Sequence, residues 1–254
     1  MKWHVRTLAV LGLFSCVLIH PTTVGGATVS WVGGSGDWDT ATNWSTGSLP
    51  GTNDNVVINP PGGPFVITHS TGSHVVNSIQ SQQAFTLSGG SLTVSNTVQV
   101  NSVFTLSGGI LGQAAVLQAT NGASLVVQSG TLNAVTVNGT LDVGSTFNNA
   151  TVTVTNGLTL NGTCYVGNPT NSNYGEIGFA GTQTLNGNGM VIFGNNGNYS
   201  YNALRVLNGV RAATPRRASS DKAAPTETPR ATAKTLAASR TSLSTSSVVR
   251  ILIQ

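Results

Sequence analysis

Between Arg6 and Arg205 the chain has no Lys or Arg, and its carboxylates there are Asp37, Asp39, Asp54, Asp142 and Glu176. Few chemistries fit so small a set. Glycoside hydrolysis needs two carboxylates about 5 Å or about 6.5 to 9.5 Å apart, and Asp142 with Glu176 is the one pair that could be brought near that range. Lyase action on acidic polysaccharides needs cations to hold the uronate and take its proton, and this stretch has none. His69 and His74 are an odd number of residues apart, which on one extended strand places them on opposite faces, with no third metal ligand near. Gly33-Gly34-Ser35-Gly36-Asp37-Trp38-Asp39 approaches the calcium-binding nonapeptide. Trp38 occupies the position of a coordinating Asp, however, and the motif occurs once, so it reads as a turn. Trp31, Trp38 and Trp44 offer a different chemistry: exposed, they would form a platform for sugar rings, with Asp37 and Asp39 bonding hydroxyls; packed together, they would form a lid. No Ser-His-Asp order, phosphate loop or dinucleotide fingerprint is present, and no cofactor is implied.

The elements that must position these residues are strands. FTLSGG occurs at Phe85–Gly90 and again at Phe104–Gly109, with looser echoes in LVVQSG from Leu125 and LTLNGT from Leu158. Runs such as SLTVSNTVQV and ATVTVTNGLTL alternate apolar and polar residues and are rich in Val and Thr, which predicts strands. Asn-Gly pairs at 121–122, 138–139, 156–157 and 161–162 punctuate them. Asn-Gly is also a hairpin signal, so an antiparallel sandwich competes with a solenoid. The repeat spacing of roughly 20 residues favours a parallel β-helix (β-solenoid), in which Phe85, Leu87, Phe104, Leu106, Leu125 and Val127 point inward and stack on like residues. Equivalent Thr, Ser and Asn would then hydrogen-bond along the stack, where like charges would repel. Only 7% of residues are charged, as such stacking favours.

The division expected is a signal peptide at 1–27, an N-terminal cap with the first strands at 28–83, solenoid repeats at 84–204 and a disordered basic tail at 205–254. The first segment has a basic start, MKWHVR, an apolar run too short to span a bilayer, and small residues at Gly25 and Ala27. Its removal would take Cys16 and leave Cys164 alone, a small buried hydrophobe. The tail holds nine Lys and Arg and is rich in Ala, Pro, Ser and Thr. It reads as a solvated linker, as a basic arm for anionic surfaces, or as the product of a shifted reading frame. The uncharged body excludes a phosphate-backbone footprint, hence nucleic acid. Sequons at Asn43, Asn138, Asn149, Asn161 and Asn198 are what an Asn- and Thr-rich chain carries by chance.

The order Trp, Gly-Gly-x-Gly-x-Trp, Asn-Trp-Ser, Pro-Gly, Asp and apolar strand over Trp31–Ile58 resembles the opening of secreted bacterial repeat proteins related to autotransporter passengers and adhesins. IGFAGTQTLNGNGMVIFG, Ile177–Gly194, resembles their recurring strand motif. The resemblance covers residues 28–204 and implies a right-handed β-solenoid, export, and a surface role without catalysis. No translocator barrel follows in this sequence. The function expected is a non-catalytic, secreted or cell-surface solenoid in surface architecture or adhesion, alone or as a piece of a longer repeat protein. Its expected partners are surface glycans or other copies of the solenoid, with no membrane span in the mature chain. A carbohydrate-binding module built on the tryptophans and a polysaccharide-degrading enzyme are the alternatives.

Overall fold

A computed structural model of the 254-residue chain describes residues 26–122, 124–181, 183–195, 201–207 and 247–249. The signal segment, apart from residues 26 and 27, and most of the basic tail lie outside the described residues.

The chain winds from strand to strand in short corners. β1 (Thr28–Ser30) and β2 (Gly36–Asp37) open the first coil, and β3 (Asn55–Ile58), β4 (Val66–His69) and β5 (Ser73–Val76) form the next. β6 (Ser78–Ser81), β7 (Ala84–Leu87) and β8 (Ser91–Val94) follow, then β9 (Thr97–Val100) and the long β10 (Phe104–Gly112). β11 (Ala115–Val116), β12 (Leu125–Val137), β13 (Leu141–Val143), β14 (Ala150–Leu160), β15 (Thr163–Val166) and β16 (Gly175–Ala180) continue the winding. β17 (Leu185–Asn186), β18 (Met190–Phe193) and β19 (Ala203–Leu207) close it, and β20 (Ser247–Val249) lies antiparallel on β18.

Every other strand pairing among the described residues is parallel, and the chain is a β-solenoid of about 6 turns. Its strands form three stacks. One runs β1, β3, β6, β9, β11 and the ends of β12 and β14; a second runs β2, β4, β7, β10, β12, β13, β15 and β18; the third runs β5, β8, β10, β12, β14, β16 and β19. Parallel pairing settles the fold against the antiparallel sandwich.

The predicted repeat is the observed register: Phe85 lies on Phe104, Thr86 on Thr105 and Leu87 on Leu106, and Leu106 lies in turn on Val127. Period two places alternate side chains inside, as in β7, β8 and β9, where Phe85, Leu87, Leu92, Val94, Val98 and Val100 are all buried. The polar positions also pair along the stack. Asn77 donates to Asn55 at 2.7 Å, Asn156 to Asn133 at 2.6 Å and Asn161 to Asn138 at 2.8 Å. An amide is suited to such a ladder because it both donates and accepts, so each rung satisfies the next.

Asn156-Gly157 lies inside β14, where both residues have positive φ and the strand turns from the third stack into the first. It is a corner of the coil and joins no hairpin. The strand pattern also runs past Leu204: β19 extends to Leu207, so Arg205 belongs to the solenoid rather than to the basic tail. The composition shift hid this because Arg205 points outward, where composition is no guide to strand position.

The cap proper is an excursion between β1 and β3, and coil stacking already begins with β1 on β3. Trp31 and Trp44 form an antiparallel bridge, Val32 N–H donates to Asn43 O and Ser45 N–H donates to Ser30 O, both at 2.8 Å. The excursion thus covers the free edge of β1, where unpaired backbone groups would otherwise recruit another chain.

Candidate functional site

Among the described residues, a cluster of four titratable side chains from separate coils lies under the cap. Asp37 and Asp39 come from the cap loop, His69 ends β4, His74 sits in β5, and Gly89 turns the corner after β7. The ring nitrogens of the two histidines meet, His69 Nε2 with His74 Nδ1, at 2.9 Å. His69 Nδ1 lies 3.0 Å from Gly89 O, and His74 Nε2 lies 3.2 Å from Asp39 Oδ1. The last contact is an ion-pair approach without a well-aligned hydrogen bond. Asp37 accepts from Asp39 N–H at 2.8 Å and from the Ser70 hydroxyl at 2.6 Å.

This corrects the reading of His69 and His74 as lying on opposite faces of one strand. They lie on two strands joined by the corner Ser70–Gly72, and Gly72, at φ 71°, bends the chain so that the rings meet edge to face, 5.0 Å apart. The Ser-Thr-Gly between them was the signal, because a turn residue within the interval cancels the parity rule. Ser70 and Gly89 carried no signal of their own.

The three tryptophans converge here too, with their rings turned inward. Trp31, Trp38 and Trp44 are 2%, 0% and 2% exposed. They pack edge to face, Trp31 on Trp44 at 4.9 Å and Trp44 on Trp38 at 4.7 Å, and Trp38 continues onto Phe85 and thence Phe104. Trp44 Nε1 donates to Trp38 O and Trp31 Nε1 to Gly34 O. A platform for sugar rings needs an open indole face, and none of the three presents one.

The remaining acids are engaged in the scaffold. Asp54 Oδ2 accepts Gly51 N–H at 2.7 Å. Asp142 is buried, and its carboxylate accepts the N–H groups of Ser145 and Thr146 and the Thr146 hydroxyl, closing the turn after β13. Glu176 is paired with Arg205, Nε to Oε2, at 2.6 Å. Asp142 lies in the second stack and Glu176 in the third, so the two do not flank a common bond. Cys164, paired with Leu141 along the stack, is buried and its thiol is pushed far up by desolvation and then by Asp142, which leaves it protonated and unreactive.

Asp142→Ala is therefore expected to cost about 2 kcal/mol of stability by orphaning buried N–H groups. Asp142→Asn, whose side-chain oxygen still accepts, should cost less; urea denaturation of both variants checks the order.

Among the described residues no group of three or more His, Cys, Asp or Glu could hold a metal ion, and no helix is long and apolar enough to cross a membrane. An open groove of about 430 Å³ lies where the corners after β6, β9 and β11 meet, lined by Gln82, Asn101, Ser102, Val103, Thr120, Asn121 and Gly122. All its polar groups are uncharged. Comparison of the chain with protein-family models, curated proteins and solved structures found no match.

Proposed function

We propose that this chain is a non-catalytic, exported β-solenoid module that acts in cell-surface architecture or adhesion, on its own or within a longer repeat protein. The observation that carries the reading is that each carboxylate from Asp37 to Glu176 is bound to a neighbour that it holds in place. Among the described residues no acid lines the open groove beside a partner base, which supports a reading without general acid and base catalysis there. What the solenoid offers instead is neutral. Columns such as Thr68, Thr86 and Thr105 stand in register on its outer side, next to the uncharged groove. Such faces suit uncharged partners, surface glycans or further copies of the solenoid, whose binding would vary little with salt. Export is motivated by the leader-like start of the sequence and by the resemblance of residues 28–204 to secreted repeat proteins.

Protease treatment of intact cells of the source organism tests the location: the chain should be digested from outside, and full protection in unbroken cells would sink the proposal. Incubating the purified chain with neutral and acidic polysaccharides should release no new reducing ends. Release that disappears in Asp142→Asn or Glu176→Gln would establish an enzyme instead.

A further inference from the structure

We infer that Asp39, His74 and His69 form a proton-dependent latch that fastens the N-terminal cap to the coils beneath it and lets go in acid. The contacts cross three levels of the molecule: Asp39 in the cap, His74 and His69 in the coil of β4 and β5, and Gly89 in the coil below.

The proton count follows from what each atom can do. Gly89 O only accepts, so His69 Nδ1 carries a hydrogen. His69 is completely buried and neutral, which leaves its Nε2 as a bare acceptor, so His74 Nδ1 must be the donor between them. His74 Nε2 then faces a carboxylate oxygen of Asp39 at 3.2 Å, which ties the pair to the cap. The latch closes with no proton on His69 Nε2.

Acid adds the proton that the geometry excludes. Protonated at Nε2, His69 turns a donor toward the donor of His74. The charged and titratable groups facing the pair are Asp39 and Asp37 from the cap loop and the histidines themselves; Asp37 is occupied by Ser70 Oγ and Asp39 N–H. No Lys or Arg occurs between Arg6 and Arg205.

Burial holds the His69 pKa below its ordinary 6.5; the Gly89 bond opposes this, His74 adds to it, and Asp39 opposes it more weakly. The sign follows for His69: the unfolded or unlatched chain takes up a proton there near pH 6.5 that the latched site refuses, so the contribution of His69 to closure is fully present above that pH and weakens as pH falls through it.

The consequence is local. Release frees Trp31, Trp44 and the Ser45–Ser30 bond that covers the β1 edge, while the coils from β6 onward keep their pairing.

Amide exchange on the full chain between pH 7.5 and 5 reads this directly. After correction for intrinsic rates, the Trp31 and Ser45 amides should exchange faster below about pH 6.5, approaching tenfold per pH unit for one proton taken up on opening. Amides of β9 and β10 should not change. His69→Gln, whose amide can still donate to Gly89 and accept from His74 without titrating, should abolish the acceleration. His4 and His20 remain in that variant, so loss of the effect assigns it to His69. If His69→Gln does not fold, nitrogen-15 imidazole spectra of the native chain decide. A His69 ring bearing its hydrogen on Nδ1 at pH 7 supports the latch, and hydrogen on Nε2 overturns it. Equal exchange at pH 7.5 and 5, or acceleration that persists in His69→Gln, would also overturn it.

Discussion

Replacing Leu106 by Asp is expected to abolish the cooperative unfolding transition of the central coils. Leu106 is fully buried, with Leu87 on one side of it in the stack and Val127 on the other. Truncation of a buried leucine alone removes about 2 to 5 kcal/mol. A carboxylate at the same point adds several more, since no Lys or Arg exists in the body to pair with it and none of the facing side chains can donate to it. That sum is comparable with the whole stability of an ordinary domain, about 5 to 15 kcal/mol. Leu87→Asp should behave alike, and circular dichroism against temperature measures both. A variant that keeps a sharp, wild-type transition would mean that these leucines do not face inward.

Gly90→Ala is the second large effect, and Gly122→Ala is its control. Both glycines have left-handed backbone, φ 62° at Gly90 and 68° at Gly122, so each alanine carries a conformational penalty of about 1 to 2 kcal/mol. They differ in what a methyl group would meet. At Gly122 there is open space, whereas at Gly90 the new carbon would lie 2.2 Å from Gly72 O and 2.6 Å from the Thr71 carbonyl. Those atoms are backbone of the preceding coil, which is held by the bond from Ser91 N–H to Gly72 O and cannot withdraw without opening the corner. Gly90→Ala should therefore lose roughly twice what Gly122→Ala loses, about 3 kcal/mol or more by urea denaturation. Equal losses would show that the coils are not in contact at this corner.

The parts of the fold legible in the sequence were those governed by repetition. Phe85 and Phe104 could be placed one over the other because the same six residues recur, and period two in Val- and Thr-rich runs fixed which side chains face inward. Asn ladders were legible for the same reason, since stacking an amide on an amide is the cheapest way to satisfy both. What escaped lies at corners, where a single turn changes the outcome of a parity argument. His69 and His74 meet because Gly72 redirects the chain, and Asn156-Gly157 bends one strand where a hairpin was equally readable. Asp142 was weighed as an acid for chemistry because its type and number are visible in the sequence. Its three donors, close by at Ser145 and Thr146, are visible only once the turn is folded. The cap's tryptophans were rightly read as candidates for a lid, and the platform that competed with it needed exposure that spacing alone cannot reveal.

The register of the stacks has a consequence for how the molecule comes to be folded. Paired positions on successive coils are offset by as few as 16 residues, Leu125 to Leu141, and at most 31, as from Gly36 to Ile67. Each long-range pairing is therefore closed over a short loop, however many coils the rod contains, and the search for a partner strand does not lengthen as the chain grows. The edge of the last coil laid down is the template for the next. A chain delivered to its destination one end first can thus fold as it arrives, each new coil locking in before the following one has appeared.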